Sequence, residues 1–411
     1  MHELVGALRS YAWGSRTALA QLCGRPVPSA HPEAELWFGA HPADPAQVRI
    51  NGHSTSLLDV VTANPQRELG SVAGEFGGRL PFLLKILAAE EALSLQAHPS
   101  LEQARVGFQR ENRAGMALDS PLRNYRDENH KPELVVALDR FEALAGFRTP
   151  TVTVRLLHAL EVPELEPYAE LLAAQPDSAG LRTLFTTWIA LPQVSLSTLL
   201  PKVLDGCVRY LSGRDEGSDS KRREFTAEIR TALELAEAYP GDAGVLAALL
   251  LNRITLEPGE ALFLDAGNLH AYLRGVGVEI MANSDNVLRG GLTPKHVDVP
   301  ELLRVLDFEP LDLPKVQPEV LGNGVFRYRT PASEFVLSRF ELAPGDEPVT
   351  VPHAGPGIAL CTHGAVGLLL GKDQLRVECG RAAWISAADG EIRARALDGA
   401  AQLFCAAVSE N

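Results

Sequence analysis

Apolar and polar positions along the chain change their rhythm twice, and the changes divide it into stretches of different structure. Residues 1–60 carry short apolar runs broken by Pro and Gly, with turns at His41-Pro42-Ala43-Asp44-Pro45 and Asn51-Gly52, which predicts short strands and loops. In residues 80–95, Leu83, Leu84, Ile86 and Leu87 predict a strand buried on both faces, running into an acidic turn. Residues 100–118 predict a helix with a polar face, and 119–129 a charged loop. Residues 151–250 place apolar side chains at helical spacing in one segment after another, which predicts an all-helical insertion. Its polar break, 214–220, predicts an exposed loop. From Ile254 the chain returns to strands and turns, with Pro258-Gly259 as a turn. After a connecting stretch at 300–325, the last ninety or so residues are evenly spaced short strands between Gly and Asp, which predicts a second closed β-structure, a jelly roll or barrel.

Composition narrows the classes. At 411 residues the chain exceeds one simple core. A net charge of −14 argues against a nucleic-acid or anionic-membrane surface, because both attract basic faces. It leaves room for a local basic cluster on an anionic small molecule. The N-terminus lacks a basic segment followed by an apolar one, and no apolar run reaches membrane-spanning length, so the expectation is a cytoplasmic protein. The five cysteines are scattered, with no C-x-x-C pair, and read as small core residues rather than a disulfide framework or zinc knuckle.

Three segments carry candidate metal chemistry. Gln96 and His98 share a strand face with Ser94, since positions two apart point the same way. Glu133 opens an otherwise apolar run after His130-Lys131-Pro132, and a buried carboxylate there needs a partner. Gly259 to His270 reads as a strand, a glycine-dependent turn and a return strand. Taken alone, the first two read as readily as ordinary half-buried strands with polar faces to solvent. The third resembles the second cupin motif, G-x5-P-x-G-x2-H-x3-N, with Asp265 in the Pro slot and Arg274 in the Asn slot. The first cupin motif has an echo in Gln96-Ala97-His98, its Glu displaced to Glu133. Two imidazoles, one amide and one carboxylate would leave a divalent ion net positive and a good Lewis acid. Gln96 is the unusual ligand of the set. In the C-terminal β-region, the spacing from Gly380 puts Glu391 where His270 stands, so that region reads as a degenerate cupin without metal, packing against and shielding the site mouth.

Longer runs resemble type I phosphomannose isomerases over nearly the whole chain. They are Tyr11-Ala12-Trp13-Gly14, Ala34 to Pro42, Leu80 to Lys85, Leu93 to Pro99, His130-Lys131-Pro132-Glu133, Asp265 to Tyr272, and above all Val278 to Lys295. The helical region and the C-terminal ninety residues match only in type. The resemblance implies a mainly β fold with an α insertion: two cupin-type jelly-roll barrels plus an all-helical domain. The division is 1–150 with 251–320 as the catalytic barrel, 151–250 as the helical domain, and 321–411 as the degenerate barrel.

It also implies one Zn2+ per chain on Gln96, His98, Glu133 and His270, with Mn, Co or Ni as alternatives for such ligands. The implied reaction interconverts mannose 6-phosphate and fructose 6-phosphate through a cis-enediol, feeding GDP-mannose and glycan synthesis or mannose catabolism. Arg289 is the implied catalytic arginine, placed either on the phosphate or on the developing enediolate. Lys131, Glu279, Asp285 and a zinc-bound water stand as candidate bases, Lys131 requiring a depressed pKa beside the metal. Lys295 and Ser94 are candidate phosphate ligands, and Tyr272 a sugar-lining residue. His130 is a candidate for orienting a metal ligand; His31, His41, His53, His158, His353 and His363 read as structural or exposed. The expected partner is a sugar phosphate and the expected state a monomer. Two other readings are a different cupin isomerase or epimerase on phosphosugars, and an inactive cupin that senses sugar phosphates; an inactive relative should have lost a ligand or Arg289, and all are present.

Overall fold

The structure is a computed structural model that describes residues 1–212, 224–311, 315–353 and 355–409. The polar break expected at 214–220 lies outside the described residues. Strands dominate, with helices concentrated in one block.

The spine is the thirteen-residue strand His270–Ala282. Its C-terminal half pairs antiparallel with Phe82–Ala89 on one side and Glu133–Ala137 on the other. Its N-terminal half pairs with Phe141–Phe147 and meets Leu95–Ala97 at His270. The change of partners falls at Gly275, whose φ of +125° suits glycine and whose missing Cβ would sit 2.8 Å from the Arg140 carbonyl. All eight residues of Phe82–Ala89 are buried, as its apolar residues on both faces predict, and one of them is Lys85.

The C-terminal strands form two further sheets of nine and four strands. Phe340, Cys361, Leu403 and Ile385 of the larger sheet share a core with Val366, Leu368, Val377 and Ile392 of the smaller, so the two pack face to face. The larger sheet also takes in His2–Val5, Gln47–Ile50 and His53–Ser56, which join it through Leu4 opposite Ala382. The expectation of closed barrels is corrected here: no sheet among the described residues is closed, and the eleven-stranded one branches at the spine strand.

Among the described residues, six α-helices lie between Pro150 and Ala248, where the 3.6-residue rhythm predicts them. Leu181, Leu184, Phe185 and Trp188 from one of them pack in a core with Leu95, Leu144, Phe147 and Leu288 from the strands. The block begins and ends at one place. Phe147 and Leu251 are register partners, the Arg148 N–H donates to the Leu250 carbonyl at 2.8 Å, and Nη2 donates to the Leu251 carbonyl at 2.6 Å. Leu57–Ala63 and Val299–Val305 are helical where the sequence predicts loops and connections, and Pro65–Leu69 is helical in a stretch whose pattern predicts no element. They are too short for a period to show. Each is set by a capping side chain, Ser56, Asn64 or Asp298, that accepts from a first-turn N–H. No single described helix is long and apolar enough to cross a membrane.

Candidate metal centre

His98, Glu133 and His270 come together from three segments, their candidate ligand atoms all within 4.8 Å of one another and all three residues buried. Glu133 opens its strand as Leu264's register partner; His270 opens the spine; His98 follows Leu95–Ala97. Gly267, at φ +79°, turns the chain between Ala261–Leu264 and His270, as the spacing predicts.

Hydrogen bonds fix both imidazoles. His98 Nδ1 lies 2.8 Å from the Asn286 carbonyl, and His270 Nδ1 lies 3.0 Å from the Asn268 carbonyl. A carbonyl only accepts, so each Nδ1 carries the proton and each Nε2 presents a lone pair. Burial lowers the His98 imidazole to about 4, outweighing Glu133, so it is neutral at pH 7. Burial pushes the Glu133 carboxyl up, but its neighbours, the Lys131 ammonium foremost, outweigh it and hold it well below the usual carboxylate range. Each Nε2 stands 3.4 Å from a Glu133 oxygen, and His98 Nε2, His270 Nε2 and Glu133 Oε2 are buried without a hydrogen-bond partner. Lone pairs facing lone pairs in a dry pocket are costly unless a cation sits between them. The donor set therefore fits a divalent metal ion of the zinc type.

The other expected residues are placed as follows. Gln96 is half-buried and is the register partner of both His270 and Arg289, which puts it between them in the sheet. Ser94 is half-buried two residues before it. Lys131 Nζ lies 2.9 Å from Glu133 Oε1. Burial, then the charge of Arg126, lowers Arg289; burial, Arg289 and Arg126 lower Lys295. Asp285 keeps a half-exposed carboxylate 3.4 Å from His41 Nε2; burial raises that carboxyl, and the His41 hydrogen bond outweighs it and lowers it. His41 is thus buried beside the site and packs edge-on against Trp37, where the sequence reads it as a turn residue.

A second buried array adjoins the first. Tyr272 Oη donates to Glu279 Oε1 at 2.7 Å, and Lys85 Nζ donates to Glu279 Oε2 at 3.1 Å and to Glu35 Oε1 at 3.2 Å. Trp37 Nε1 closes the chain on Glu35 Oε2 at 2.9 Å. Burial works against the Lys85 ammonium, but Glu279, Glu35 and Glu133 outweigh it and raise it above its ordinary value. Burial raises the Glu279 carboxyl and outweighs Lys85 there. Burial and the nearby carboxylates raise Tyr272 well above its usual range, so it stays a donor. Lys85 and Glu35 escape a reading of the sequence by motif; the signal is a charge in the middle of an otherwise apolar strand. His130 meets Glu334 at 2.5 Å, and the ligands are oriented instead by the two Asn carbonyls. A cavity of about 1210 Å³ near Cys23, Arg274 and Cys379 is lined by none of these site residues.

Fold and site together define a metal-binding enzyme with one buried His/Glu/His centre on a β scaffold. The family model described as phosphomannose isomerase type I, catalytic domain, matches residues 1–150. The mannose-6-phosphate isomerase of Escherichia coli K12 is 38% identical over 95% of this chain and 96% of its own. The human one is 37% identical over 82% and 81%. Among solved structures, a mutant phosphomannose isomerase from Salmonella typhimurium aligns over the full length of both chains at 36% identity and a TM-score of 0.89. A zinc-bound mannose 6-phosphate isomerase aligns over 100% of this chain and 99% of its own at 36% identity and a TM-score of 0.88. The chain belongs to the type I phosphomannose isomerase family.

Proposed function

We propose that the chain interconverts mannose 6-phosphate and fructose 6-phosphate at a single zinc site. The observation that carries the reading is the trio of buried, unpartnered atoms: His98 Nε2, Glu133 Oε2 and His270 Nε2. Their geometry asks for a cation, and the family supplies the substrate. Gln96 completes the ligand set, supported by its register between His270 and Arg289. A bound divalent ion supplies electrophilic polarisation of the oxygens on C1 and C2 of the open-chain sugar.

The protein's own groups do the rest. Proton transfer between C1 and C2, through a cis-enediol, falls to Asp285. Glu279 has both oxygens engaged, and Lys131 is paired with Glu133, whereas Asp285 keeps solvent access with His41 behind it. Lys131 holds Glu133 ionised and in place. Tyr272 and Glu279 form the sugar-facing wall, with Lys85 keeping that wall charged from behind. Arg289 and Lys295 bind the phosphate, with Ser94 at its edge. Among the described residues neither cation has an acidic partner, which leaves both free for an anion. Water exclusion comes from burial of the ligands.

The same reading takes 1–150 with 251–320 as a cupin-type catalytic unit, 151–250 as a helical domain walling it, and 321–411 as a degenerate cupin unit at the mouth. The Gly259–His270 turn and the His130–Glu334 contact support it. A cytoplasmic monomer without nucleic-acid or membrane partners completes it. The test is coupled turnover of mannose 6-phosphate before chelation, after chelation and after zinc add-back. Activity should vanish with the metal and return with it. Turnover that survives verified metal removal would sink the reading.

A further inference from the structure

One buried side chain ties a charged loop to the metal centre. Asn286 is fully buried. Its Oδ1 accepts from the N–H groups of Arg126 at 2.7 Å and Asp127 at 3.2 Å. Its Nδ2 donates to the carbonyls of Asp127 at 2.9 Å and Asn129 at 2.8 Å. Its own carbonyl takes the His98 Nδ1 proton. Asp127 returns the grip, accepting from Ser284 Oγ and the Asp285 N–H, both at 2.8 Å. The backbone at Arg126 is therefore fixed relative to His98, and relative to Arg289 three residues beyond Asn286.

The Arg126 side chain is another matter. It is exposed and, among the described residues, makes no hydrogen bond or ion pair, although its backbone is so tightly held. Its charge reaches Arg289, Lys295 and Asp285. Asp285, the acid within that reach, is turned to His41. Three cations thus sit in one another's field, an arrangement that costs free energy until an anion arrives. A phosphate monoester carries nearly two charges at pH 7 and accepts several hydrogen bonds, more than Arg289 and Lys295 need satisfy alone.

We propose that Arg126 is a third phosphate-binding cation, acting with Arg289 and Lys295, and that the Asp127–Asn286 clasp sets its distance from the reacting end of the sugar. This rests on the isomerase reading above and deepens it. A rigid loop backbone with a free guanidinium fixes where the phosphate on C6 is held, and so adds to the binding of substrate and transition state alike.

The experiment compares wild type, Arg126→Ala and Arg126→Lys as zinc-loaded enzymes. Steady-state kinetics with mannose 6-phosphate run beside calorimetric binding of inorganic phosphate, which does not depend on turnover. Arg126→Ala should raise KM about tenfold, equivalent to about 1.4 kcal/mol, and leave kcat within about twofold. Phosphate affinity should fall by a similar factor, and Arg126→Lys should recover most of both. Unchanged phosphate affinity in Arg126→Ala overturns the proposal, as does a loss in kcat with KM untouched. If wild type binds phosphate through Arg126 yet fails to turn over mannose 6-phosphate, the isomerase reading fails and the anion site stands.

Discussion

Replacing Lys85 with Met tests whether the array beneath the site is as dry and as tightly paired as its geometry says. Only 7% of the Lys85 side chain is exposed, and the two carboxylates it serves are 9% exposed for Glu35 and 3% for Glu279. At separations near 3 Å and an effective dielectric of about 20, each pair attracts by about 5 kcal/mol before desolvation is charged against it. Truncating one member of such a pair leaves the others buried without compensation, at a cost of about 3–5 kcal/mol. Met matches the length of the Lys stem, so little of that cost comes from packing. The pH dependence carries a sign. Without the ammonium, the Glu279 carboxyl, which burial already raises, lies further above its unfolded value. Its protonation then relieves the array, fully below about pH 4.3 and not at all once pH has passed the raised value. The deficit of Lys85→Met should therefore be largest at pH 7.5 and shrink toward pH 5. Urea midpoints of the metal-loaded protein, followed by tryptophan fluorescence, measure it, and Trp37 is well placed as reporter because its Nε1 bonds Glu35. Adding Glu279→Gln to Lys85→Met should recover at least about 1 kcal/mol, since it removes one orphaned charge. A deficit under about 1 kcal/mol at pH 7.5, or one that ignores pH, would refute the reasoning.

Two further outcomes follow from the site and its rim. Arg289→Gln should cut kcat/KM with mannose 6-phosphate by at least about 100-fold while zinc content, read by mass spectrometry, stays at one per chain. Near-normal turnover would remove Arg289 from the chemistry. At the rim, burial raises the Glu334 carboxyl, but the His130 hydrogen bond outweighs it and lowers it below its ordinary value. Its stabilising contribution is present above about pH 4.5 and is lost as pH falls through the lowered value. Glu334→Gln should lower stability at pH 7 by about 1 kcal/mol and flatten the acid limb of the stability profile; an unchanged acid limb would assign that limb to other carboxylates.

Local chemistry made part of this molecule readable from its sequence. The Phe82–Ala89 run, apolar but for Lys85, the Pro before the Glu133 strand and the glycine that returns the chain to His270 each state their structure within a few residues. The helical block announces itself by its period. What stayed hidden depends on separation along the chain. Lys85 meets Glu35 fifty positions away and Glu279 nearly two hundred away, so no spacing rule links them. His41 sits among turn residues, and only the fold swings it against Trp37 and Asp285. Sheet closure was also beyond reach, because even spacing of strands reports how many there are and not whether the last edge meets the first. The N-terminal strands that join the C-terminal sheet illustrate this: Leu4 pairs with Ala382, and neither sequence neighbourhood names the other.

The entry and exit of the helical block have a consequence for anyone who would shorten this protein. Phe147 and Leu251 face each other across one rung of an antiparallel pair, with Arg148 bonded across the seam to Leu250 and Leu251. Geometrically, the block is a cartridge on a two-strand stalk, and a tight turn would close the backbone at little entropic cost. Its removal would nonetheless leave Leu95, Leu144, Phe147 and Leu288 with water where Leu184, Phe185 and Trp188 now lie. The resulting apolar face would drive association between molecules. A minimal enzyme cut at this seam therefore requires a repainted sheet face as well as a linker, because the backbone is modular here and the core is not.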